Sequence, residues 1–219
     1  MHGNLKDLWK RSTPSDDIHW FSYDWLWEQC LGLADALAFT HGLTTSANGE
    51  RAKAQVHADI SADNILVFSN GTNDENERIL KLSDFGLSRE VDSNGRLAAN
   101  TLKHTRTNAP PERELSEHQA SPQWDIWVLG CLYVDFITWG LSGYHGVKTF
   151  ATSREQELDD PRVLKAQGVR IRDTWFRQAS TRPWLAWIPG YHLKTTFHVK
   201  KAVLQVGFGG NVFVQGVCY

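Results

Sequence analysis

Asp59, Asp63 and Asn64 stand close together in the stretch His57–Phe68, HADISADNILVF, directly ahead of the apolar run Ile65–Phe68. A polar loop entering a buried strand is fixed by that strand while it meets solvent, which is a favoured setting for chemistry. The same residues also suit a plain turn in which Asp and Asn side chains bond their own backbone. A third carboxylate bears on the choice. Asp84, in LSDFGLSR, follows the short apolar run Ile79–Leu82. Paired as neighbouring strands, the two runs bring Asn64 and Asp84 to one end of a hairpin. An amide oxygen and a carboxylate there form a hard, oxygen-rich site suited to magnesium bridging phosphates.

The elements that must position these groups are legible as patterns. From Tyr23 to His41 the apolar residues Leu26, Cys30, Leu33 and Leu37 recur at helical steps, which predicts one buried helix face. Strands Ile65–Phe68 and Ile79–Leu82 are joined by SNGTNDENER, a polar tip for a hairpin. Leu87–Glu117 carries no regular pattern, and a loop of that length inside a compact domain is usually functional. Trp124–Trp139 is apolar on all sides, which predicts a helix buried through the middle of a domain. Beyond Gly146 the pattern gives way to mixed, tryptophan-rich sequence.

Composition narrows the classes of function. A chain of 219 residues is long enough for one sizeable core, and a net charge of -2 offers no electrostatic case for nucleic acid or an anionic membrane. Three cysteines, Cys30, Cys131 and Cys218, are an odd number at wide spacing, which suggests a reducing, intracellular compartment, cytoplasmic or nuclear. No apolar signal core opens the chain, and the longest apolar run, Ile126–Leu141, is short for a membrane span and contains Asp135.

Four motifs in order give the sequence a family likeness. HADISADN, DFG, PPE at Pro110–Glu112 and DIWVLGC from Asp125 resemble the catalytic loop, metal-binding motif, end of the activation segment and start of the central helix of protein kinases. GNLKDLW, from Gly3, resembles the end of the interlobe hinge and the first helix of the large lobe. YVDFITW and the paired prolines resemble divergent kinase-like proteins of filamentous fungi.

The resemblance implies an α+β, mainly helical fold, a kinase large lobe with a short β-hairpin and no small N-terminal lobe. Residues 1–205 would form the lobe: hinge and first helix in 1–10, catalytic loop in 57–64, activation segment in 84–112 and central helix in 124–141. Residues 206–219 would form a tail of uncertain structure, in which VGFGGNVFV reads as a hairpin turn and not as a phosphate loop.

It also implies roles. Asp59 would accept the proton of a substrate hydroxyl, and Asn64 and Asp84 would hold Mg2+. Leu5 and Leu66 would lie under the adenine of ATP, and Thr105 would lie in the substrate loop. His57 and Phe85 would stack, Gly86 would complete the metal motif, Glu112 would anchor the activation segment, and Asp125 would hold the catalytic-loop backbone from below.

The expected activity is phosphoryl transfer from ATP to a serine or threonine of a protein, with no role for nucleic acid or membrane. Two departures from the pattern favour an alternative, a weak or inactive kinase-like binding module. Ala58 stands where an arginine would meet a phosphorylated activation loop, and Ser61 where a lysine would face the transferred phosphate. A small-molecule phosphotransferase shares the His-x-Asp and Asn loop, but Pro110–Glu112 and Asp125 argue against it.

Overall fold

The computed structural model describes residues 2–12, 14, 21–43, 54–69, 78–91, 97–98, 108–110, 119–156, 176–180 and 195–199. They belong to two compact units, Met1–Val147 and Lys148–Tyr219. The first carries every described candidate residue.

Helix α1 (Leu5–Arg11) starts at Asn4, whose side-chain oxygen accepts from the Asp7 backbone N–H at 2.8 Å. Asp7 in its first turn and Lys10 and Arg11 in its last complement the helix dipole. Helix α2 (Tyr23–Thr40) matches the predicted helix to within a residue and is capped by Ser22, whose hydroxyl oxygen accepts from the Trp25 N–H at 3.0 Å. Its buried face holds the predicted Leu26, Cys30, Leu33 and Leu37, joined by Trp25 and Thr40. Gly42, at φ 66, turns the chain out of α2 in a left-handed conformation that glycine adopts without steric cost.

Strands β2 (Ile65–Ser69) and β3 (Arg78–Leu82) pair antiparallel from Ile65↔Leu82 to Ser69↔Arg78. Both edges of this hairpin are covered, which removes the exposed donors and acceptors of a two-stranded ribbon. On the β2 side the His2 N–H donates to Val67 O at 2.8 Å and the Val67 N–H to Gly3 O at 2.9 Å. On the β3 side α2 supplies side chains: Gln29 Oε1 accepts from the Leu80 N–H at 2.9 Å and Trp25 Nε1 donates to Arg78 O at 2.6 Å. Shorter pairs join β1 (Gln55–Val56) to β4 (Arg89–Glu90) and β5 (Leu97–Ala98) to β6 (Gln119–Ala120), so the predicted irregular stretch after Leu87 is pinned at intervals.

Helix α3 (Pro122–Gln156) runs well past the predicted Trp124–Trp139, with a break at Gly143, φ 65 and ψ -171. Trp124, Phe136 and Trp139 are fully buried. The indole N–H of Trp139 is shared between Trp9 O at 3.2 Å and Ser12 O at 3.1 Å, and the Phe21 ring meets its edge at 5.3 Å. Burial on every side, as composition suggested, does not hold: Ile126, Ile137 and Leu141 are exposed. Helices α1 and α2 pack on one side of α3, and apolar residues on the other side carry no signal that would set them apart in sequence. By length and composition α3 is also apolar enough to cross a bilayer, yet half of that window is buried, as in a core helix. In the second unit β7 (Phe176–Ser180) and β8 (Thr195–Val199) form an antiparallel hairpin in sequence that showed no strand pattern.

Candidate active site

The ladder ends at Ile65↔Leu82, so Asn64 and Ser83 face each other one step beyond it. The Asn64 carbonyl accepts twice from Ser83, from N–H at 3.0 Å and from Oγ–H at 2.8 Å. Asn64 and Asp84 therefore leave the same end of the hairpin from adjoining points. Asn64 Nδ2 donates to Asp59 O and to Asp59 Oδ2, both at 2.8 Å. Its amide nitrogen is thus committed to Asp59, and its oxygen is the end left for a ligand.

Asp84 has left-handed backbone, φ 62 and ψ 70, and its Oδ1 accepts from the Gly86 N–H at 3.2 Å, closing a 3₁₀ turn over Phe85–Leu87. A Cβ at Gly86 would come within 3.1 Å of that oxygen, so glycine lets the carboxylate lie against the turn. The donors fit magnesium completed by phosphate oxygens, being hard and oxygenic. They are too few for a protein-only site: among the described residues no group of three or more His, Cys, Asp or Glu could hold a metal.

His57 ties this end of the hairpin to the loop. Its Nδ1 accepts from the Asp59 N–H at 3.3 Å and its Nε2 donates to Ser83 O at 3.1 Å, which uses both nitrogens of a neutral ring. Phe85 stacks on it with centroids 4.7 Å apart. Burial pushes the His57 pKa below its ordinary 6.5, outweighing Asp125, Ser83, Asp59 and Asp84, which pull it up. A lowered folded-state pKa means that the unfolded chain takes up the proton first as pH falls. The stability His57 contributes is therefore present above about 6.5 and is lost as pH drops through the folded-state value. Urea midpoints followed from about pH 8 to pH 5 should fall below pH 6.5, and His57→Gln should flatten that decline. An unchanged slope in the variant would place the acid sensitivity elsewhere.

Beneath the loop lies Asp125, in the first turn of α3 and 1% exposed. Its Oδ2 accepts from the His57 N–H at 2.7 Å and from His41 Nε2 at 2.9 Å, and its Oδ1 from the Ala58 N–H at 3.0 Å. Ala58 has φ 68, a left-handed conformation costing an alanine about 1 kcal/mol or more, and the bond to Asp125 helps to hold it. Sequence reasoning missed His41, which entered only as the end of a helix. Its signal was a histidine closing an apolar helix face, where burial requires a polar partner.

Leu5 is fully buried, while Leu66 keeps part of its surface and pairs with Asn4 through an isolated bridge. Lys6 Nζ meets Asp63 Oδ2 at 2.8 Å, an exposed ion pair that ties α1 to the loop and raises the Lys6 pKa, chiefly through that hydrogen bond. A recess beside Asp59 is lined by Ala58, Ile60, Asn108, Ala109, Trp124 and Val128. The structure thus brings together Asp59, Asn64, Asp84, His57, Phe85, Gly86 and Asp125. Thr105 and Glu112 lie outside the described residues.

A loop carboxylate is bonded to an amide, and the hairpin sets that amide beside a second carboxylate. The profile of the protein kinase domain matches residues 33–173, and the chain belongs to that family. It is similar to a fibroblast growth factor receptor of Ciona intestinalis, 25% identical over 83% of this chain and 24% of the relative. It is also similar to a serine/threonine-protein kinase of Yarrowia lipolytica, 38% identical over 40% of this chain and 13% of the relative. A third relative is the cyclin-dependent kinase 14 of Callithrix jacchus, 28% identical over 55% of this chain and 25% of the relative. The chain spans about a quarter or less of the length of these relatives.

Proposed function

We propose that this chain carries the acceptor and metal sites of an ATP-dependent protein serine/threonine kinase. The observation that carries the reading is Asn64, bonded through its amide nitrogen to Asp59 and through its carbonyl to Ser83, next to Asp84. Asp59 accepts the proton of the substrate hydroxyl and orients it, with its own position set by Asn64 and by the His57 ring. Asn64 and Asp84 hold magnesium, which when bound neutralises charge on the phosphates of ATP. Leu66 lies against the adenine and Leu5 supports it from within the core. Thr105 steadies the acceptor segment and Glu112 anchors its end. The kinship with the Yarrowia serine/threonine-protein kinase supports a serine or threonine acceptor. The buried free thiols of Cys30 and Cys131 support action in the cytoplasm or nucleus.

A second reading, an inactive nucleotide-binding module, is favoured by Ser61, since a hydroxyl cannot neutralise a transferring phosphoryl group as lysine would. Calorimetry with ATP and magnesium followed by transfer assays separates the two. Leu5, expected under the adenine, is fully buried, so of the two leucines only Leu66 offers apolar surface; this chain should therefore bind magnesium-ATP more weakly than about 1 μM, and Asp84→Asn should abolish that binding. Transfer to a serine peptide, and none to aminoglycoside or choline-type alcohols, is the expected activity. Binding without transfer would identify the inactive module, and ATP binding that ignores magnesium would overturn both readings.

A further inference from the structure

We propose that Ser83 is a positioning residue: its hydroxyl fixes the spacing of Asn64 and Asp84 and so lets the site favour magnesium over calcium. The inference rests on the kinase reading. Each polar group of Ser83 has a partner in the site. Its N–H and its Oγ–H both donate to Asn64 O, at 3.0 and 2.8 Å, and its carbonyl accepts from His57 Nε2 at 3.1 Å.

The backbone bond alone would leave the Asn64 peptide a single contact about which to pivot. The hydroxyl occupies the second lone pair of the same carbonyl and removes that freedom. At the other end of the residue Asn64 Nδ2 is held by Asp59. Asp84 follows Ser83 directly, with its backbone held left-handed and its Oδ1 on the Gly86 N–H. The two ligating side chains thus issue from one rigid junction, and the serine hydroxyl is the only side-chain group that joins their two strands there among the described bonds.

Rigidity matters differently to the two ions. Magnesium requires near-octahedral geometry at about 2.0–2.1 Å, whereas calcium accepts irregular shells at about 2.3–2.6 Å. Loosening the junction should therefore penalise magnesium more than calcium, an effect that a general loss of packing would not produce.

The test is calorimetric titration of the whole chain with ATP in saturating Mg2+ or saturating Ca2+. Ser83→Ala should weaken magnesium-dependent ATP binding about fivefold, the size of one neutral hydrogen bond, and calcium-dependent binding by about twofold at most. Ser83→Thr keeps the hydroxyl and should restore the magnesium preference. Should the alanine variant fail to fold, Ser83→Cys, close in size with a weak donor, supplies the same comparison. Equal losses with both ions, or no loss with either, would overturn the role of Ser83. Wild-type chain that binds ATP without regard to metal would remove the kinase reading, and this inference with it.

Discussion

Replacing Asp125 with alanine is expected to destabilise the chain by about 3–5 kcal/mol, since it leaves three buried donors without an acceptor at about 1–3 kcal/mol each. The carboxylate is 1% exposed and accepts from three donors, the N–H groups of His57 and Ala58 and His41 Nε2. Its loss strands all of them in a site that water reaches poorly, and it releases Ala58 from a backbone conformation that alanine does not favour. Asp125→Asn keeps an acceptor oxygen but turns an NH2 towards donors, so it should fall between alanine and wild type. Urea unfolding monitored by tryptophan fluorescence gives the value. A cost under about 1 kcal/mol, the range of an ordinary surface change, would mean that the loop is held by something else.

The second large effect concerns turnover. In protein that transfers phosphate to a peptide, Asp59→Asn should lower turnover by about 10²–10⁴-fold, as for loss of a general base, with ATP affinity nearly intact. Asp84→Asn should lower turnover and weaken magnesium-ATP binding together. The geometry supports the separation: Asp59 is engaged with Asn64 Nδ2 on the loop, while Asp84 lies two residues past the end of β3, held on the Gly86 N–H. Asn at position 59 would still accept from Asn64, so the loop should keep its shape while losing its base. Single-turnover rates with one peptide, alongside ATP affinities for each variant, decide the matter. Equal effects of the two changes on ATP affinity would merge the roles of the two acids.

The sequence made the hairpin and α2 legible because each writes its pattern locally. Ile65–Phe68 and Ile79–Leu82 are short apolar runs bounded by polar residues, and Leu26, Cys30, Leu33 and Leu37 mark one helix face. The hairpin pattern brought Asn64 and Asp84 to one end, and the resemblance to protein kinases added Asp59 and Asp125 to the same locus. What stayed hidden depends on partners far away in the chain. His41 and Asp125 are 84 residues apart, and nothing near either residue names the other. Residues 2–4 are too few to show a strand period, yet they cover the free edge of β2. Nothing in the sequence marks Ser83, because its significance comes from the register that sets it opposite Asn64. The exposed stripe of Ile126, Ile137 and Leu141 was equally illegible, since an isoleucine has the same chemistry on either side of a helix.

The anchoring of the catalytic loop by Asp125 has a consequence in time during synthesis. The ribosome makes His57 68 residues before Asp125. At about 5–20 residues per second the interval is roughly 3–14 s. Throughout it Ala58 has no carboxylate to receive its N–H, and α2 is complete while His41 still waits for its partner. The hairpin β2–β3 is made within that interval, so its strands can pair before the loop leading into β2 is set. The last part of the site to take shape is thus the loop that was translated first, and its conformation is fixed only when the start of α3 arrives beneath it.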